Sequence, residues 1–209
     1  METTNNELPE RARRFFTGLS NYLDTPILYF GSVQRYDYFH GYSDIDIDIF
    51  TENEQSTLTK MQQYMKLPKT VIKKVVWRLN HNKQMVYGYK LKYTDPKGEF
   101  EAEFSVYNEK FKEGVLNEHL KKMVLPWYVT MLLVILKTFY YKLGIVSKHM
   151  FNDIKKILLT YCIGTSEDEF ISVSSNYREH YGGSKPNESD ESDRYKRKGG
   201  KDIVDEGLE

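Results

Sequence analysis

Gly31 and Ser32 are followed, after eleven intervening residues, by Asp44-Ile45-Asp46-Ile47-Asp48. Alternate residues of a β-strand share a face at about 6.5–7 Å spacing. The spacing therefore predicts one acidic row, with Ile45, Ile47 and Ile49 turned to the core. Like charges in line repel, and one of them protonates unless a cation neutralises the row. Oxygen-only ligands select a hard divalent ion, Mg²⁺ or Mn²⁺. The glycine–serine pair adds a second chemistry. The apolar run Pro26 to Phe30 reads as a strand, and a glycine at its end lets the backbone turn sharply and approach a phosphate, with the Ser32 hydroxyl as a further donor. Asp48, at the far end of the row, reads as a solvated strand end at the rim.

A strand, Gly-Ser, a short helix or loop, and then Asp-x-Asp on the next strand resembles the signature of the DNA polymerase beta-type nucleotidyltransferase superfamily. Ser43-Asp44-Ile45-Asp46 carries the match. The resemblance implies a catalytic carboxylate pair at Asp44 and Asp46, with Gly31 and Ser32 holding a nucleoside triphosphate. It also implies a third carboxylate on a later strand. Glu103-Phe104-Ser105-Val106-Tyr107-Asn108 resembles the poly(A)-polymerase-like pattern there, which makes Glu103 the choice and Glu101 the reserve. In such a site two cations about 3.5–4 Å apart clamp the attacking hydroxyl and the leaving pyrophosphate. Asp44, Asp46 and Glu103 would be their ligands, Glu103 on the acceptor side. Lys137 and Ser147 sit where poly(A)-polymerase-like and oligoadenylate-synthase-like members contact the triphosphate. For Lys137, a lysine snorkelling at a helix rim is the alternative.

The expected activity is transfer of a nucleoside monophosphate from NTP, ATP included, to a hydroxyl, an RNA 3′ end being the favoured acceptor. Small-molecule or protein nucleotidyl transfer and cyclic or 2′-5′ oligonucleotide synthesis stay open. From another class, so does a catalytically idle module that binds a nucleotide or partner.

The elements that must position these residues are legible from periodicity. Leu8 to Leu23 predicts a helix with Phe15, Phe16, Leu19 and Leu23 on one side. Glu52 to Leu67 predicts another, stopped at Pro68. Val71 to Leu79, Lys83 to Tyr93 and Glu99 to Tyr107 read as strands, the last two joined by the turn Asp95-Pro96-Lys97-Gly98. Phe100, Ala102, Phe104 and Val106 share one face of the last strand, and Glu99, Glu101, Glu103 and Ser105 the other. Beyond it the period becomes helical. Leu116, Leu120 and Met123 mark one helix and Leu125 to Leu143 a second. Ser147 is the N-cap of a third.

The expected architecture is α/β (α+β). A mixed-sheet nucleotidyltransferase domain with flanking helices spans 1–108, a short helical annex 109–163, and a polar disordered tail 164–209.

Lysine plus arginine equals aspartate plus glutamate at 30 each. No global basic field therefore advertises nucleic acid, and RNA would need a local patch. The single cysteine, Cys162, precludes an internal disulfide and reads as a buried small side chain. Val124 to Leu136 is too short for a membrane span and reads as a buried core helix. With a polar N-terminus, the expectation is an intracellular protein, cytoplasmic or nuclear, neither secreted nor in a membrane, of open oligomeric state. Tyr36, Tyr38, Phe39 and Tyr42 read as packing residues, one of which could stack on a base. His40 reads as an ordinary histidine, and Lys196-Arg197-Lys198 as a solvated run.

Overall fold

The computed structural model describes residues 1–80, 82–163 and 171–173, which lie in a compact unit extending from Met1 to Ser175. Its elements are α1 (Glu10–Leu23), β1 (Ile27–Phe30), β2 (Ile45–Thr51), α2 (Glu54–Met65), β3 (Lys73–Arg78), β4 (Met85–Thr94), β5 (Glu101–Asn108), α3 (Lys112–Met123), α4 (Trp127–Lys137), α5 (Lys148–Ile163) and β6 (Ile171–Val173). The strands form one mixed sheet in the order β1-β2-β5-β4-β3-β6. Among the described strands only β2 and β5 run parallel; the connection between them carries α2 and the β3–β4 hairpin.

Period-2 alternation makes the sheet two-faced. Ile45, Ile47 and Ile49 on β2 and Ala102, Phe104 and Val106 on β5 pack against Ala12, Phe16, Leu19 and Leu23 of α1 and Leu58, Met61 and Met65 of α2. Each larger side chain buried there contributes about 1.5–3 kcal/mol on leaving water. α2 begins at Asn53, whose side chain accepts from the Ser56 N–H, and ends with Lys66 in the left-handed region. The opposite face is divided. At one end Leu28, Phe50, Trp77, Val86 and Tyr107 pack under Phe111 and Val115. At the other, the acidic residues of β2 and β5 are left for the site.

The helices after β5 depart from the expected pattern. The side chains that α3 buries are Val115, Glu118 and His119, while Leu120 is exposed. A polar edge of α3 thus meets the polar face of the sheet. α4 is shorter than expected and passes into a π-helical turn, Thr138–Lys142. It is not a buried core helix: Val129, Leu133 and Leu136 are covered, but Trp127 is 77% exposed, and Met131, Leu132 and Ile135 are exposed too. No single helix among the described residues is long and apolar enough to cross a membrane. The pair Glu109–Met123 and Trp127–Lys142, bent by 81°, passes that test only jointly.

Ile171–Val173, assigned from the sequence to the tail, pairs antiparallel with β3. A three-residue strand is too short to show a period; it forms because β3 offers a free edge. The Cys162 side chain and the remainder of the expected tail lie outside the described residues.

Candidate active site

β1 ends at Phe30, whose register partner on β2 is Asp46. The chain then enters a 3-10 turn, Gly31–Gln34. Gly31 has φ +70° and lies against the Asp46 carboxylate: a Cβ at that position would fall 2.0 Å from Asp46 Oδ2. Glycine is needed here on two counts, the left-handed backbone and the space taken by the carboxylate. The close approach expected to be made to a phosphate is made first to Asp46.

Across the parallel pair Asp46 stands opposite Glu103, and Asp48 opposite Ser105. On the next strand Lys92 is the partner of Glu103 and Lys90 of Ser105. Acids and lysines therefore share one sheet face. Lys90 Nζ donates to Glu103 Oε1 at 2.6 Å, while Lys92 Nζ lies 3.5 Å from Glu103 Oε2 and 3.9 Å from Asp44 Oδ2. These residues open into a cavity of about 760 Å³, also lined by Ser32, Arg35, Glu101, Lys137 and α5. The α5 contribution is Lys148, Phe151, Asn152, Lys155 and Leu159. That spacing is one helical face.

Burial pushes the Asp46 carboxyl up to about 6; Lys155 opposes the shift, and the like charges of Glu103 and Asp44 add to it. A carboxylate so disfavoured is relieved by a bound cation. Burial would also raise Glu103, but Lys90, with Lys92 behind it, outweighs burial and holds Glu103 below the usual range. The donor set is all oxygen and fits a hard divalent ion in type. Among the described residues, no three His, Cys, Asp or Glu side chains are gathered into a ready metal cage.

Asp48 is not a solvated strand end. Its side chain is fully buried, with Oδ2 2.6 Å from His119 Nδ1. The expectation failed because the partner comes from α3, far along the chain and without a spacing signature.

Lys137 does not snorkel at a rim. It is buried, and its Nζ donates to the Asp37 carbonyl at 2.6 Å and lies 3.0 Å from Asp37 Oδ2, while Arg35 grips the same carboxylate at 2.7 and 3.1 Å. The triad ties α4 to the loop between Gly31 and Asp44. Lys137→Met is expected to destabilise the fold by about 3 kcal/mol in urea titration, the low end for opening a buried ion pair, since Arg35 still holds Asp37.

Ser147 is exposed; its Oγ accepts from the Met150 N–H as the cap of α5, and it does not line the cavity. Its neighbour Lys148 does. Lys148 and Lys155 escaped sequence reasoning, although their seven-residue spacing around Phe151 and Asn152 is visible in the chain.

Glu101 and Glu103 both line the cavity. Only Glu103 stands beside Asp46 in register, while Glu101 pairs with Thr94. Were the cavity a site of nucleotidyl transfer, Glu103→Gln would be expected to lower kcat by about 100-fold or more with little change in NTP affinity, and Glu101→Gln to cost less than about threefold, in steady-state assays. The reverse result would move the third acid by two residues.

The described residues form the expected mixed α+β architecture, one sheet with flanking helices. No family model matches the chain, and no curated protein matches it. Among solved structures, a chain from the "structure of GLD-2/RNP-8 complex" is similar at TM-score 0.33 and 15% identity, with 68% of this chain and 51% of that chain covered. The chain thus spans about half the length of that neighbour.

Proposed function

We propose that this cavity transfers a nucleoside monophosphate from NTP to a hydroxyl acceptor, with release of pyrophosphate. The observation that carries the reading is the register of Asp46 beside Glu103, with Gly31 pressed against Asp46 at the cavity wall. Asp44, Asp46 and Glu103 would hold Mg²⁺ or Mn²⁺, which when bound neutralises the row and polarises the phosphate.

The remaining work falls to the chain itself. The Gly31–Ser32 turn presents a backbone N–H and a hydroxyl to phosphate. Lys148 and Lys155 on α5 balance the triphosphate charge from the opposite wall. Tyr140, Tyr141 and Phe151 offer ring faces to a base; the Tyr140 and Phe151 rings already stack at 4.4 Å. The acceptor oxygen forms a bond to the α-phosphorus as the bond to the pyrophosphate oxygen breaks, and the acceptor proton leaves to a base. Glu103, ionised at neutral pH and beside Lys90, orients that hydroxyl and is a weak base for its proton. An RNA 3′ end is the acceptor we favour.

One observation favours a second reading. Lys90 and Lys92 already neutralise Glu103, as expected of an idle binding module. Incubation with each labelled NTP, Mg²⁺ or Mn²⁺, and RNA or small-molecule acceptors separates the two. Labelled product that depends on the cation supports transfer; nucleotide binding with no product under any combination supports the idle module.

A further inference from the structure

Asp48 and His119 form a buried unit that the transfer reaction above does not use. Asp48 has no exposed surface, and neither of its oxygens has a well-aligned hydrogen-bond donor among the described residues. Its one close partner is His119 Nδ1, at 2.6 Å. His119 is 5% exposed, and its ring is close to parallel with two aromatics, 4.2 Å from Phe30 at an interplanar angle of 14° and 6.3 Å from Trp77 at 4°. Phe30 against the ring face and Asp48 beside Nδ1 thereby set the ring's orientation, although Nδ1, like the Asp48 oxygens, has no well-aligned hydrogen-bond partner among the described residues. An imidazole held through Nδ1 presents Nε2 in a set direction. His119 lines the cavity, and so does Lys122, one turn further along α3. α3 packs on the Gly31–Gln34 turn, which brings that edge next to Ser32 and Arg35.

We infer that His119, oriented by Asp48 and accompanied by Lys122, completes the cradle for the β,γ-pyrophosphate unit of the nucleotide, facing the Gly31–Ser32 turn from α3. The inference rests on the proposed transfer reaction and deepens it. A carboxylate at the end of the acidic row is thus used to aim the ring: with both ring nitrogens carrying hydrogen, Nδ1–H faces Asp48 and Nε2–H donates to phosphate. Phe30, the residue before the turn, couples the two halves of the cradle by stacking on the same ring.

The test is calorimetric binding of inorganic tripolyphosphate, and separately of adenosine, to the full chain with Mg²⁺ present. His119→Asn is expected to weaken tripolyphosphate binding about tenfold or more, and Asp48→Asn nearly as much, with adenosine affinity unchanged. Lys122→Met, at a partly exposed position that should not disturb folding, is expected to cost three- to tenfold. In turnover assays the His119 and Lys122 variants should raise KM for NTP more than they lower kcat, a split that general loosening of the fold would not give. Unchanged tripolyphosphate affinity in both His119→Asn and Lys122→Met would overturn the inference while leaving the transfer reaction standing. Weakened binding of a short oligonucleotide with tripolyphosphate binding intact would overturn it in favour of an acceptor strand. If the wild-type protein binds no tripolyphosphate, the transfer reading falls as well.

Discussion

Asp46→Asn is expected to abolish transfer while making the metal-free protein more stable at neutral pH. The two effects have one cause. In the folded chain the Asp46 carboxyl titrates at about 6 rather than 3.8, because burial and the nearby Glu103 and Asp44 disfavour its charge. The folded state therefore binds this proton more tightly than the unfolded chain. Stability is at its fullest below the unfolded value, falls as pH rises from about 4 to about 6, and stays reduced above that. Asparagine removes the ionisation. Urea midpoints should show the variant more stable than wild type by up to about 3 kcal/mol at pH 7.5, with the advantage gone near pH 4. Activity should fall by about three orders of magnitude or more, as expected when a group central to charge stabilisation is lost. A variant that loses stability at pH 7.5 would identify Asp46 as structural.

Gly31→Ala should be nearly as damaging to activity, by a different route. The new methyl group would meet Asp46 Oδ2 at 2.0 Å and Cγ at 2.9 Å. Because the atom in the way ends a rotatable side chain, the fold survives and the carboxylate is what moves. Left-handed backbone at an alanine costs a further 1–2 kcal/mol or so. Turnover is expected to drop by about 100-fold or more, with a melting temperature only several degrees lower. Full activity in Gly31→Ala would dissociate the turn from the site.

The acidic row and its strand were legible in the sequence because a period of two is enforced wherever one face of a sheet is buried. Ile45, Ile47 and Ile49 could only be the core face, which left Asp46 and Asp48 on the other; Asp44 proves to precede the strand, and Asp48 turns to His119 rather than into the cavity. The same reasoning put Glu101, Glu103 and Ser105 on one face of β5. What alternation does not contain is register between strands: that Glu103, rather than Glu101, stands beside Asp46 depends on how β5 docks on β2.

Contacts between distant elements were equally hidden. Asp48 looked like a solvated end because nothing nearby in the chain could neutralise it, and His119 arrives on a helix whose apolar residues suggested a different buried face. Lys137 stood out as an isolated charge in an apolar helix, yet its partners Asp37 and Arg35 lie in a loop that carries no period. In α4 the apolar run suggested a buried core helix; among the described residues Val129, Leu133, Leu136 and Lys137 are covered, while Trp127, Met131, Leu132 and Ile135 are exposed.

The most direct test of the central claim is Mn²⁺ binding followed by electron paramagnetic resonance at pH 7.5, with a non-hydrolysable NTP analogue present. Stoichiometric uptake of Mn²⁺ by the wild-type protein is expected, weakened strongly in Asp46→Asn and again as the pH is lowered through about 6, where a proton competes for Asp46. Uptake that is the same in Asp46→Asn, or no uptake by the wild-type protein, would contradict that claim.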